Sequence, residues 1–154
     1  MITDLTIGCP LSDEPNISRL RIGSNVFNPK ASQVSFPLHR FEPQAHQNLS
    51  RLVFGKEIEV QWNKRDRYGR IVGKVLVVEA PCKAGDCPKT VDACLSQITA
   101  GLAWWYRDYA REQSSEDAQR YRLAEEDVRS RNVGLWAGPE PIPPWDWRKE
   151  KNRP

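Results

Sequence analysis

The pattern of apolar and polar positions becomes regular from about residue 41 onward. Glu42-Pro43 opens a predicted helix, with proline suited to a first turn; Ala45, Leu49, Leu52 and Val53 repeat at helical spacing and Gly55 supplies the stop. The run 56–62 then alternates with period two, which predicts a strand with Ile58, Val60 and Trp62 on one face. A returning strand is predicted over 71–78, where Gly73 marks a bulge or a barrel corner. The segment 80–89, with two prolines, a glycine and two cysteines, reads as a loop, and 91–100 as a short helix with Cys94, Leu95 and Ile98 inward. Gly101-Leu102-Ala103-Trp104-Trp105-Tyr106 reads as a short strand or extended passage into Tyr109. Ser114 or Ser115 caps a long helix, Glu116 and Asp117 sit at its positive end, Tyr121, Ala124 and Val128 form its buried stripe, and Gly134 ends it. Leu135-Trp136 is expected to fold back onto the core. The tail from Gly138 is rich in proline and predicts an extended polyproline conformation, its Trp145 and Trp147 docked on the domain rather than left as an adhesive patch.

Between the two predicted strands lies Asn63-Lys64-Arg65-Asp66-Arg67-Tyr68-Gly69-Arg70, with four cations, an aromatic ring and a glycine in eight residues. This is the pattern of a hairpin with a cationic turn. Guanidinium groups match the oxygens of a phosphodiester with two parallel hydrogen bonds, so the turn is a candidate phosphate clamp; the alternative is a solvated turn with ordinary surface charge.

Composition narrows the picture without deciding it. A chain of 154 residues, 28% charged and 39% hydrophobic, suits one soluble globular domain with a single core. The net charge of +3 permits a polyanionic partner, and its distribution matters more than its sum. Positive charge gathers at 64–70 and 148–153, whereas Glu and Asp gather at 112–127, so the acidic helix is expected to face away from any polyanion. No apolar run is long enough to span a bilayer, and a monomer is expected. The first residues, Met-Ile-Thr-Asp-Leu-Thr-Ile-Gly-Cys, lack a basic region followed by an apolar one, which as written predicts a cytoplasmic chain.

Lys64-Arg65-Asp66-Arg67-Tyr68-Gly69-Arg70, then Gly101-Leu102-Ala103-Trp104, then Gly134-Leu135-Trp136, occur in the order and approximate spacing of the staphylococcal nuclease (thermonuclease) family. The chain resembles the small bacterial members with a Cys-rich insertion and a Pro/Trp-rich tail, from about Phe41 to Trp136. The resemblance implies an α+β fold, an OB-type β-barrel with about three helices, the first strands left open. It divides the chain into an atypical segment 1–40, a nuclease-like remainder 41–137 and a tail 138–154. It also implies a secreted or periplasmic protein, against the reading of the first residues.

For chemistry, the resemblance implies sugar-nonspecific cleavage of DNA or RNA with bound calcium. Arg70 matches the family's Tyr-Gly-Arg arginine, which stabilises charge on the phosphate. Tyr68 and Tyr109 match aromatic positions presented to the nucleotide, and Lys64, Arg65 and Arg67 read as sequence-independent backbone contacts. Tyr109 reads equally as a residue at the edge of the core, whereas Trp104, Trp105 and Trp136 read as core aromatics.

The family's calcium ligands and general base have no counterpart here. There is no Asp-Gly-Asp-Thr, and Phe27-Asn28-Pro29-Lys30 stands where Asp-Ala-Pro-Glu belongs. Arg19-Leu20-Arg21-Ile22 is only loosely similar to the strand that bears the family's second arginine, and Asp4, Asp13, Glu14 and Glu42 share no spacing that ties them to one site, so the metal ligands are unknown. The domain is accordingly a degenerate, non-catalytic nucleic-acid- or protein-binding homologue, or uses another carboxylate set, or carries a rearranged start in residues 1–40. In that last case residues 2–7, 18–22 and 33–38 are the candidate first strands, and poor pairing would expose the strand edges at 57–62 and 71–78.

Cys82-x4-Cys87-x6-Cys94 has no Cys-x2-Cys pair and no nearby histidine, which argues against zinc. A disulfide is expected if the protein is exported and thiols if it is not, with Cys94 a small core residue in either case.

Overall fold

The computed structural model describes residues 5–6, 16–21, 42–69, 71–79, 87–139 and 141–151. Strands β1 (Leu5–Thr6) and β2 (Asn16–Arg21) precede helix α1 (Glu42–Val53), and the hairpin β3 (Glu57–Arg65) and β4 (Ile71–Val78) comes after it. Next come β5 (Lys89–Asp92), α2 (Ala93–Thr99), a 3-10 turn over Arg107–Glu112, α3 (Ser115–Ser130), a second 3-10 turn over Gly134–Ala137, and α4 (Pro144–Lys151). The proposed strand at 33–38 lies outside the described residues, as do Cys9 and Cys82.

The sheet is built around β4. Its one edge carries β3 in antiparallel pairing, and β3 pairs in turn with β2, from Asn16 opposite Trp62 to Arg21 opposite Glu57. The other edge of β4 is shared. β1 lies parallel against Ile71 and Val72, and β5 antiparallel against Leu76 to Val78. A central strand that takes different partners along one edge lets a short sheet curl, and the result is an α+β fold of OB type.

Two residues set the bend in the hairpin. Register shifts between Trp62 and Lys64, which leaves Asn63 as the extra residue of a bulge. Gly73 lies opposite Trp62, where a Cβ would come within 2.6 Å of the Gln61 carbonyl oxygen. Glycine is therefore required there by close backbone approach, in keeping with the corner that the sequence predicts.

The core forms on both sides of α2. Val53, Ile58, Val60, Ile71, Val75, Val77 and Ala93 make one cluster, with Leu49, Leu52, Trp62 and Val91 packed against it. Cys94, Ile98, Trp105 and Tyr121 make a second beneath α3. Polar ties join them. The Asp92 carboxylate caps α2 by accepting from the Cys94 and Leu95 amides, and it also accepts the Tyr121 hydroxyl at 2.5 Å. The Gln97 amide donates to the Ala45 carbonyl at 2.8 Å and so fastens α2 to α1.

Several expectations are corrected. The three expected α-helices lie within 41–137, and the described residues add a fourth, α4, in the tail. Residues 89–92 form β5, and α2 starts only after its Asp92 cap. Ser114 does cap α3, but the helix ends at Ser130, not at Gly134. Gly134 instead lies with φ +60 directly against Gly101. The tail is not extended over 144–151 but helical, with Pro144 at the first helical position, where its missing N–H costs nothing. It is docked, as expected: the Trp145 ring stacks on Tyr106 at 4.7 Å with planes within 1°.

Two of the carboxylates of the acidic helix have structural roles. Asp117 and Glu125 face inward and are buried. Asp117 pairs with Lys74 of β4 at 2.8 Å, and Glu125 accepts from the Trp105 amide at 3.1 Å and from Arg107 at 3.0 Å. Two carboxylates thus bolt α3 to the sheet and to the aromatic passage before it.

Candidate functional site

The cationic turn is an ordered structure made from its own residues. β3 runs through Arg65, past the Asn63 bulge, so the turn proper begins at Asp66. The Asp66 carboxylate accepts the Tyr68 amide at 2.8 Å, and its carbonyl accepts the Gly69 amide at 2.9 Å. An aspartate that closes the turn on its own backbone is a favoured arrangement. Gly69 has φ +79, where a side chain is strained, so glycine suits this corner.

The cations differ in their surroundings. Arg65 donates to the Gly69 carbonyl at 2.8 Å and lies over the Trp62 ring at 5.4 Å, so it braces the turn across its neck. Arg67 lies 4.8 Å over the ring of Tyr68, and Tyr68 is 67% exposed. Lys64 pairs with Glu112 at 2.5 Å and sits 5.7 Å over the ring of Tyr109. This last pairing matters most for the site. It joins β3 to the 3-10 turn over Arg107–Glu112 and brings Tyr109, 46% exposed, beside the cationic turn. The structure thus brings together Lys64, Arg65, Arg67, Tyr68 and Tyr109 around one end of the hairpin. Arg70 lies outside the described residues.

The sequence gives no signal for Glu112 as the partner of Lys64, because the two meet only through the fold. It gives no signal for Trp62 as a platform for Arg65 either, since period-two alternation assigns that ring to the core face.

Among the described residues, no group of three or more His, Cys, Asp or Glu could hold an ion. Near the turn, the Asp66 carboxylate closes the turn and Glu112 neutralises Lys64. Asp4, Asp13, Glu14 and 27–30 lie outside the described residues, as does the side chain of Glu42. The described residues therefore do not fit calcium.

Comparison with known proteins identifies the family of the chain. Residues 19–138 match the model of the family described as "Staphylococcal nuclease homologue". That match reaches upstream of Phe41 to take in part of β2. The chain is 36% identical over 112 residues to "Protein ParB" of Escherichia coli, covering 73% of this chain and 60% of that protein. It is likewise 36% identical over 110 residues to "Micrococcal nuclease" of Shigella flexneri, covering 71% and 59%. The chain thus spans about three fifths of the length of these relatives. A solved structure titled "Extended Tudor domain of Drosophila Melanogaster Tudor-SN (p100)" overlays on 67% of this chain and 42% of that one, with a TM-score of 0.44 at 14% identity.

Proposed function

This chain belongs to the staphylococcal nuclease homologue family, and on that premise we propose that it acts on the phosphodiester backbone of DNA or RNA as a thermonuclease-like hydrolase. The observation that supports this reading is the ordered turn at Asp66–Gly69, with Arg67, Tyr68 and Tyr109 gathered around it; Arg70 is the next residue in sequence. Arg70 supplies the guanidinium that stabilises charge gathering on the phosphate oxygens. Arg67, over the exposed ring of Tyr68, adds sequence-independent attraction for the backbone, which salt screens, while Lys64, paired with Glu112, holds Tyr109 beside the turn. Tyr68 and Tyr109 offer exposed ring faces to unpaired bases, which stack without regard to sequence.

A second reading is binding without cleavage, to nucleic acid or to a protein. The missing Asp-Gly-Asp-Thr, and Asn28-Pro29-Lys30 in place of the family's acidic element, favour it. Calcium would belong to the first reading only, and the described residues do not offer its donor set. Cys87 is disulfide-bonded, which supports an oxidising compartment and so an exported protein. Among the described residues no helix is long and apolar enough to cross a membrane.

Digestion of single-stranded DNA with and without calcium, in wild type and Arg70→Ala, separates the readings. Calcium-dependent cleavage that falls in the variant is expected of the hydrolase. Retention of the DNA without cleavage, with or without calcium, would establish the second reading in its place.

A further inference from the structure

Beyond the turn, aromatic rings form an unbroken series from the surface to the tail. The Tyr109 ring meets Tyr106 edge to face at 4.8 Å, and Tyr106 lies flat against Trp145 at 4.7 Å. Trp145 meets Trp104 at 5.8 Å, and Trp104 meets Trp136 at 4.1 Å, both edge to face. Arg129 of α3 lies 4.4 Å over Trp136 and closes the far end. At the near end, the Lys64 ammonium stands 5.7 Å over Tyr109. Tyr109 belongs to a 3-10 turn of six residues that has no side-chain cap at its start. Such a turn has poor hydrogen-bond geometry and does not fix the direction of a half-exposed ring by itself. Its neighbours must do so, and one of them, Tyr106, is itself fixed flat against the ring of Trp145.

We infer that Trp145 of α4 is a positioning residue for nucleic-acid binding: through Tyr106 it holds the half-exposed Tyr109 ring beside the cationic turn, where a base can stack. The tail helix is thus part of the binding surface, although it lies beyond residue 138, where the family match ends. An aromatic held in advance loses less freedom when a base arrives, so preorganisation appears as affinity. This inference rests on the reading of the turn as a nucleic-acid site.

The test measures binding of a fluorescent single-stranded oligonucleotide to the full chain at a temperature at which every variant is folded, with thermal midpoints recorded alongside. Tyr109→Ala is expected to weaken binding by about fivefold or more, the loss of one stacked base. Trp145→Leu, and Tyr106→Leu which cuts the same link from the other side, are each expected to weaken it about threefold to tenfold. Trp145→Phe keeps a flat ring and is expected to retain wild-type binding. In the Tyr109→Ala background neither leucine variant is expected to lower affinity further, because the ring they position is gone. Wild-type affinity in folded Trp145→Leu, a loss that adds fully to that of Tyr109→Ala, or no effect of Tyr109→Ala itself would each overturn the inference. A wild-type chain that binds no oligonucleotide would instead overturn the proposed function, and this inference with it.

Discussion

Gly134→Ala is expected to destabilise the protein by on the order of 3 kcal/mol, which in a domain of this size lowers Tm by roughly 10 °C. A Cβ at Gly134 would lie 2.2 Å from the Gly101 carbonyl oxygen and 2.7 Å from its carbonyl carbon. Both are backbone atoms, and neither can swing aside as a flexible side chain would. The carbonyl is also engaged, since it accepts the Leu135 amide at 2.8 Å. Gly134 has φ +60, so alanine adds the cost of a left-handed residue, about 1 kcal/mol, to that of the clash. The converse position is equally tight: a Cβ at Gly101, φ +68, would lie 2.6 Å from the Val133 carbonyl oxygen. The tripeptides Gly101-Leu102-Ala103 and Gly134-Leu135-Trp136 therefore meet glycine to glycine, which gives a physical reason for two of the sequence markers of the family. Thermal unfolding by circular dichroism checks this, and a Gly134→Ala midpoint equal to that of wild type would contradict the contact.

Asp117→Ala is expected to cost about 3 kcal/mol or more, because it removes one partner of a largely buried ion pair and strands the other. The side chains of Lys74 and Asp117 are only 15% and 11% exposed, and the ammonium donates to both carboxylate oxygens, at 2.9 and 2.8 Å. Arg120, at 3.9 Å and half exposed, offers Asp117 only a weak second partner. Alanine also removes an acidic group from the first turn of α3, although the Ser114 hydroxyl still caps the amide at 117. Replacing both partners with apolar side chains of similar shape, Lys74→Met with Asp117→Leu, is expected to recover most of the loss. Chemical denaturation of the two single variants and the double variant forms the cycle that checks it. Additive losses would show that the pair does not couple β4 to α3.

Much of the fold is legible in the chain because local chemistry and tertiary position agree there. α1 carries its apolar stripe on one face, β3 alternates, Gly73 sits at the bend, and Ser114 caps α3. Where local signals are weak or mixed, the reading fails for physical reasons. β5 is four residues between a proline and a helix cap, too short for period two to show. The proline content of the tail masks α4, since Pro144 both breaks the segment before it and makes a good first residue for a helix. Asp117 and Glu125 look like solvated charge in sequence, because the cations that meet them, Lys74 and Arg107, come from other elements.

The site divides in the same way. The turn is legible because its glycine, aspartate and cations are contiguous. The pairing of Lys64 with Glu112, and the ring series that reaches Trp145, are not, because they join residues far apart in the chain.

The central claim is that the turn between β3 and β4 meets nucleic-acid phosphate. Its most direct test is the affinity of wild type and Arg70→Ala for single-stranded DNA across a range of salt concentrations. The claim predicts that the logarithm of affinity falls with the logarithm of salt, and that the variant loses about 0.7 of that slope, one phosphate contact, for every base sequence tried. Parallel lines of equal affinity for the two proteins would contradict it.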